Sequence, residues 1–214
     1  MSVITLTNIS KSFKGMPLLD HVSVDFEPGL IYGIQGHNGC GKSVLFKIMC
    51  KFIDPDTGTV HIDPRYLSAN RDFPSSFGVI IDRPGYLPGH TGIDNLRALA
   101  RIRRRITDEH IVAAMLRVGL DPRLTQRVKN YSLGMKQKLA LAQAFMEDQQ
   151  VLLLDEPFNG LDATSVERTR ELLCEFRDEG RTVIFTSHNA EDMTLLADQQ
   201  FRINNHTLEP IPTT

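Results

Sequence analysis

Gly36-His37-Asn38-Gly39-Cys40-Gly41-Lys42-Ser43 follows a short apolar run at 30–35 and opens the segment 42–52. In that segment Val44, Leu45, Ile48 and Met49 recur at helical spacing. Strand, glycine-rich turn and helix form the context that the phosphate-loop pattern requires: Gly, four residues, then Gly-Lys-Ser. Gly36, Gly39 and Gly41 let the backbone curl so that successive N–H groups face one anion, and the positive helix end adds to the field. Lys42 offers a mobile cation to the β- and γ-phosphates of a nucleotide, and Ser43 a hydroxyl ligand for Mg²⁺. A bland turn has no need of these residue types at these offsets. His37 and Val44 depart from the commonest version of the loop, and the hydroxyl missing at 44 removes a contact worth about 1 kcal/mol. Cys40 is a small residue in a loop that tolerates one, and is read as packing. A thiol reagent there is expected to block nucleotide binding, with the bound nucleotide protecting.

Outward from the loop, periodicity and punctuation give the organisation. Short β-like runs at 2–8 and 22–26 precede it, and further runs at 57–63 and 78–81 follow. The Pro- and Gly-rich segment 83–89 then marks a change of pattern. From about 91 to 146 the spacing is helical, with three helices and a break at Gly119-Leu120-Asp121-Pro122. After that, elements alternate: a strand at 151–154, a helix at 163–178, a strand at 182–186 and a short helix at 190–197. Buried strands that read as continuous apolar runs between helices predict a parallel sheet covered on both faces. The expected fold is α/β with an inserted α-helical subdomain.

The bulk numbers agree with one catalytic unit. A chain of 214 residues, 41% hydrophobic and 23% charged, holds one sizeable core. A net charge of −2 removes the electrostatic case for nucleic acid as a partner. No apolar run approaches the roughly 20 residues that span a bilayer, and the N-terminus has no leader pattern, so the chain is expected neither to cross a membrane nor to be secreted. Three cysteines without metal-type spacing suit reduced thiols in a cytoplasm, and the seven histidines are scattered, so no zinc is expected. Arg101-Ile102-Arg103-Arg104-Arg105 is the densest positive run. It is read as a solvated helix face or end, the alternative being a surface near a membrane or a partner's cytoplasmic loops.

Two carboxylates, Asp155 and Glu156, end the strand 151–154. Asp155 is expected to hold Mg²⁺ through water, and Glu156 to orient or deprotonate a water in line with the γ-phosphate. Asn159-Gly160-Leu161-Asp162 follows at once. The strand 182–186 delivers Ser187-His188, and His188 is placed to contact the γ-phosphate.

Together, in this order, these pieces resemble the nucleotide-binding domain of ABC transporters, from about residue 3 to 209. Tyr131-Ser132-Leu133-Gly134-Met135-Lys136-Gln137 looks like a variant of that family's Leu-Ser-Gly-Gly-Gln signature. Ser132 is a good N-cap and Gly134 leaves backbone room for an anion. The resemblance implies a P-loop NTPase core with a parallel sheet, an antiparallel β subdomain and a helical subdomain at about 87–150, the core being 1–86 and 151–214. It also implies ATP and Mg²⁺ as ligands, ATP hydrolysis, and a head-to-tail homodimer on ATP binding. In that dimer Ser132 and Gly134 meet the γ-phosphate bound by the other subunit. Phe13, in Ser10-Lys11-Ser12-Phe13, matches the aromatic that stacks on adenine. Asp82 stands where most members carry glutamine in the loop joining core to helical subdomain. There it could still bind Mg²⁺ or its water with a shorter reach. With the Tyr-Ser-Leu-Gly-Met signature, Asp82 points to the branch that handles bacitracin, lantibiotics and other drugs. The implied partners are separate transmembrane permease subunits, which would hold the chain on the inner face of the cell membrane. The other class considered is a soluble ABC ATPase of translation or DNA maintenance, which such chains usually signal by coiled-coil insertions, tandem cassettes or basic patches.

Overall fold

A computed structural model describes residues 1–68, 71–82 and 85–212. The chain begins with a long antiparallel hairpin, β1 (Ile4–Phe13) and β2 (Met16–Phe26), whose first strand also pairs with β4 (Thr57–Ile62). Between them β3 (Ile31–Gln35) runs into the glycine loop and α1 (Lys42–Met49). A small hairpin, β5 (Leu67–Ser68) with β6 (Arg71–Pro74), precedes β7 (Phe77–Ile80). Three helices follow: α2 (Gly92–Arg103), α3 (Asp108–Arg117) and α4 (Leu133–Phe145). The alternating part is β8 (Val151–Leu154), α5 (Ala163–Asp178), β9 (Thr182–Thr186) and α6 (Ala190–Leu196). The described chain closes on the hairpin β10 (Gln199–Asn204) and β11 (Thr207–Ile211).

The main sheet has the order β11-β10-β3-β9-β8-β7, parallel throughout except for the β10–β11 pair. Its strands alternate between two cores. Leu152 and Leu154 of β8 and Val183 and Phe185 of β9 face the layer containing α2 to α5. Val151, Leu153 and Ile184 face the opposite layer, with α1 and the antiparallel sheet. Burial on both faces is why these strands carry no polar alternation. Gly78 in β7 is required by packing, since a Cβ there would lie 1.7 Å from the Ala144 carbonyl oxygen of α4.

Strand and helix positions in the alternating half match the sequence expectation closely; elsewhere β1 runs on to Phe13 and β2 starts at Met16, beyond the runs expected at 2–8 and 22–26, and the β5–β6 hairpin is an addition. The helix expected over 42–52 stops at Met49, because Lys51 adopts φ +57 and the chain turns back, with Phe52 N–H on Lys47 O at 2.8 Å and Lys51 N–H on Ile48 O at 2.9 Å. The β10–β11 hairpin, absent from the expectation, widens the sheet beyond β3.

Candidate functional site

In the sheet β9 lies between β3 and β8, so the loops leaving the C-terminal ends of three neighbouring parallel strands meet at one place. That edge is where open parallel sheets bind ligands. From β3 comes the glycine loop, from β8 Asp155 and Glu156, and from β9 Ser187 and His188.

The glycine loop leaves the start of α1 open. α2, α4, α5 and α6 each have a side-chain N-cap, from Thr91, Ser132, Asp162 and Asn189. α1 has Gly41 at φ +107 and no side-chain cap, so its first N–H groups are available to an anion. A Cβ on Gly41 would come 3.1 Å from Leu18 O. Beneath the loop Cys40, 7% exposed, fills the space that a Cβ on Gly36 would need, at 2.5 Å from its Sγ. Burial pushes the Cys40 thiol up, against the pull of nearby Lys42. Val44 packs partly buried against the core, and the exposed His37 ring contacts Asn38 O at 3.0 Å. A cleft of about 280 Å³ is lined by Leu18, Asn38, Gly39, Lys42, Asp155 and Glu156, among others.

Around this cleft the charges are linked. Lys42, 7% exposed, donates from Nζ to Gly36 O at 2.8 Å and lies 3.7 Å from Glu156 Oε1. The other oxygen of Glu156 is 2.9 Å from His188 Nδ1. Ser43 Oγ donates to Asp155 Oδ2 at 2.5 Å. Thr186, fully buried at the end of β9, donates to Asp155 Oδ1 at 2.7 Å and accepts from Glu156 N–H at 2.9 Å. Glu156 itself has φ +50, a left-handed conformation that costs a non-glycine residue about 1–3 kcal/mol and persists only where its surroundings fix it.

The structure therefore brings together Lys42, Ser43, Asp155, Glu156 and His188 in one chain. Other candidates stand apart. Asp82 shares a larger cavity of about 660 Å³ with Tyr86, Lys136, Gln137, Asp155 and Glu156. Its carboxylate, however, pairs with Lys47 Nζ of α1 at 2.6 Å and makes no bond to Ser43. Ser132 is exposed, its Oγ accepting from Met135 N–H at 3.2 Å. Gly134 packs on Gly160, whose carbonyl oxygen a Cβ would meet at 2.7 Å. Phe13, 45% exposed at the end of β1, has Lys11 Nζ at 5.5 Å from its ring centroid. Lys11 in turn pairs with Asp56 at 2.7 Å, and Asp56 also accepts from Ser12 N–H at 2.7 Å. Phe13 lies outside the phosphate cleft, to which the facing strand β2 contributes Leu18.

Sequence reasoning missed Thr186, Lys47 and Gln137. Thr186 had one available signal, a hydroxyl closing the apolar run 183–185 just before Ser187-His188. Gln137 closes the signature segment 131–137, but that pattern assigns it no role, because its partners are backbone carbonyls: its Nε2 donates to Pro157 O at 2.9 Å and Glu156 O at 3.3 Å.

Fold and site together define a P-loop nucleoside triphosphatase. The family model described as ABC transporter matches residues 19–159. An uncharacterised ABC transporter ATP-binding protein of Bacillus subtilis (strain 168), YybJ, is 37% identical over 207 residues, covering 97% of this chain and 95% of that protein. The chain belongs to the ABC transporter family, as its ATP-binding and ATP-hydrolysing subunit. The bacitracin transport ATP-binding protein BcrA of Enterococcus faecalis is 34% identical over 198 residues, 92% of this chain, which spans 64% of that relative's length. A solved ATP-binding cassette, a dimer in a post-hydrolysis state bound to ADP and Pi, shares the fold with a TM-score of 0.86 at 20% identity, covering 99% of this chain and all of that one.

Proposed function

We propose that the cleft at the ends of β3, β8 and β9 grips the triphosphate of ATP and that Glu156 is the general base of its hydrolysis. The observation that carries this reading is the linked set Lys42–Glu156–His188 beside Ser43–Asp155, at the mouth of an uncapped helix. Backbone N–H groups of residues 36–44 and the Lys42 ammonium take up the phosphate charge. Glu156 accepts the proton of the attacking water, and His188, bonded to the same carboxylate, reaches the γ-phosphate. Phe13 stacks on adenine with the ring face that Lys11 leaves free.

The donor set suits Mg²⁺. A hydroxyl and a carboxylate within hydrogen-bond distance are the hard oxygen donors expected of an ion that keeps water and binds mainly through phosphates. Among the described residues no group of three or more His, Cys, Asp or Glu is gathered to hold a metal on its own. Ser43 and Asp155 would hold the ion, Asp82 being turned to Lys47, and its chemistry when bound would be to neutralise phosphate charge.

Beyond the single chain, Ser132 is exposed and neither it nor Gly134 lines the chain's own phosphate cleft, which supports a head-to-tail homodimer in which they close the partner's site. No helix among the described residues is long and apolar enough to cross a membrane. Likeness to transport ATP-binding proteins supports pairing with a membrane-embedded permease, which would hold this subunit on the inner membrane face. The unit 87–150 is the arm, and 1–86 with 151–214 the motor, of this arrangement. An apolar groove between β7, α2 and α4, with Phe52 and Ile102 exposed at its rim, supports permease contact at their junction. Likeness to the bacitracin relative, with Asp82 and the Tyr-Ser-Leu-Gly-Met signature, supports export of a peptide antibiotic or drug.

The test is Glu156→Gln. It should retain Mg·ATP, lose turnover by about a hundredfold or more and accumulate a nucleotide-bound dimer on gel filtration. Hydrolysis at the wild-type rate would show that another group is the base.

A further inference from the structure

Glu156 is held where its own backbone preferences do not put it. Its φ of +50 is left-handed, and Pro157 after it disfavours relaxation into the right-handed helical region. Thr186 fixes the residue on its N-terminal side, by accepting from the Glu156 N–H. On the C-terminal side, the two carbonyls that flank the Glu156–Pro157 bend both accept from one amide, that of Gln137, at 3.3 and 2.9 Å. Gln137 stands in the second turn of α4, the helix whose cap is Ser132. Close backbone approach locks the same junction. Gly134 leaves no room for a Cβ against Gly160 O, and a Cβ on Gly160 would strike Leu133 at 2.5 Å.

We propose that Gln137 is a positioning residue for hydrolysis. Its side-chain amide clamps the Glu156–Pro157 bend to α4, so that the Glu156 carboxylate faces Lys42 and His188, and any displacement of α4 is passed to that carboxylate within the same chain. The inference rests on Glu156 being the base and is distinct from the roles of Ser132 and Gly134, which act on the partner's nucleotide. Gln137 does not line the phosphate cleft, so its loss should alter turnover and leave ATP binding in place.

The experiment compares the full-length chain with Gln137→Met, Gln137→Lys, Glu156→Gln and the double variant Gln137→Met/Glu156→Gln. It measures kcat and KM for Mg·ATP and equilibrium ATP affinity. Gln137→Met keeps the length and removes the donors; it should lower kcat roughly ten- to thirtyfold, as the loss of one or two hydrogen bonds implies. KM and affinity should stay within about twofold, and Gln137→Lys, which restores a donor, should recover most of the rate. The double variant should be no slower than Glu156→Gln, because both changes act through one group. A wild-type kcat in Gln137→Met overturns the proposal. So does a parallel loss of ATP affinity, or a double variant slowed by the full product of the two effects. In all three cases the base assignment stands if Glu156→Gln is inactive, whereas wild-type turnover by Glu156→Gln removes the assignment and the proposal together. Should Gln137→Met fail to fold, the isosteric Gln137→Glu, which turns an acceptor toward the two carbonyls, must lower kcat at least as far, and a wild-type rate there overturns the clamp.

Discussion

Cys40 lies between two loop glycines with its Sγ packed under Gly36, and its burial sets how the loop reacts with electrophiles. The reactive form is the thiolate, and burial holds the Cys40 pKa above the ordinary thiol value. Near neutral pH the thiolate fraction is therefore smaller than for a free cysteine, and alkylation should be slow. Its rate should climb about tenfold per pH unit through and beyond the range where a free thiol levels off. Mg·ATP should suppress it, since an occupied loop closes the approach. Peptide mapping after iodoacetamide treatment at several pH values checks this, separating Cys40 from Cys50, whose buried thiol is pushed up to about 12. A Cys40 rate that levels off near the free-thiol pKa would contradict the packing role. Lys42, Ser43, Asp155, Glu156 and His188 were all legible beforehand, because each sits at a fixed offset from a glycine pattern or a strand end. Thr186 and Gln137 act through backbone atoms and another residue's carboxylate. Their positions, at a strand end and within the signature segment, are visible in the sequence, but the contacts exist only once β9 and α4 are packed against β8.

Among the elements, α5, α6 and the loop between β9 and α6 are tied by a buried ion pair. Arg170 of α5, 7% exposed, donates to Asp192 Oδ1 at 3.1 and 2.6 Å, and Ser187 Oγ donates to Asp192 Oδ2 at 2.8 Å. The same Ser187 Oγ accepts from Asn189 N–H at 3.0 Å, so the short loop holding His188 is pinned on both sides. Removing one partner of a buried pair strands the other charge. Asp192→Ala should cost about 3 kcal/mol, at the low end because Glu167 and Glu191 still face the guanidinium. Urea denaturation measures that loss. Asp192→Asn, which keeps an acceptor for Ser187, should retain more activity than Asp192→Ala; equal activity in the two would mean that the loop does not depend on this anchor. Helix ends show why element boundaries were legible in some places and not in others. α3 and α5 stop at Gly119 and Gly180, both at positive φ, and glycine is a visible stop signal. α1 ends in the same reverse turn with Lys51 at φ +57, which composition does not announce, so the helix appeared longer than it is. β10 and β11 were missed for another reason: β10 is only partly buried, Ile203 being its one fully buried residue and Phe201 packing part-exposed against the core, and β11 is half-exposed, so neither carries the continuous apolar run that betrayed β8 and β9.

At the scale of the whole molecule, each chain holds half of the proposed reaction centre in its cleft and presents the other half on the exposed start of α4. If two chains pair head to tail, each centre uses the Lys42 of one copy and the Ser132 of the other. Lys42→Ala destroys the cleft of its own chain, and Ser132→Arg blocks the surface offered to the partner. Either variant alone should be inactive, because every dimer it forms has two damaged centres. An equal mixture behaves differently. Mixed dimers contain one centre carrying both lesions and one carrying none, the cleft of the Ser132→Arg chain closed by the intact α4 of the Lys42→Ala chain. With random pairing and independent centres, ATPase activity should return to about a quarter of the wild-type rate at the same total concentration. A site completed within one chain predicts no recovery at any mixing ratio, so the phosphate released by the mixture decides whether hydrolysis belongs to the chain or to the pair.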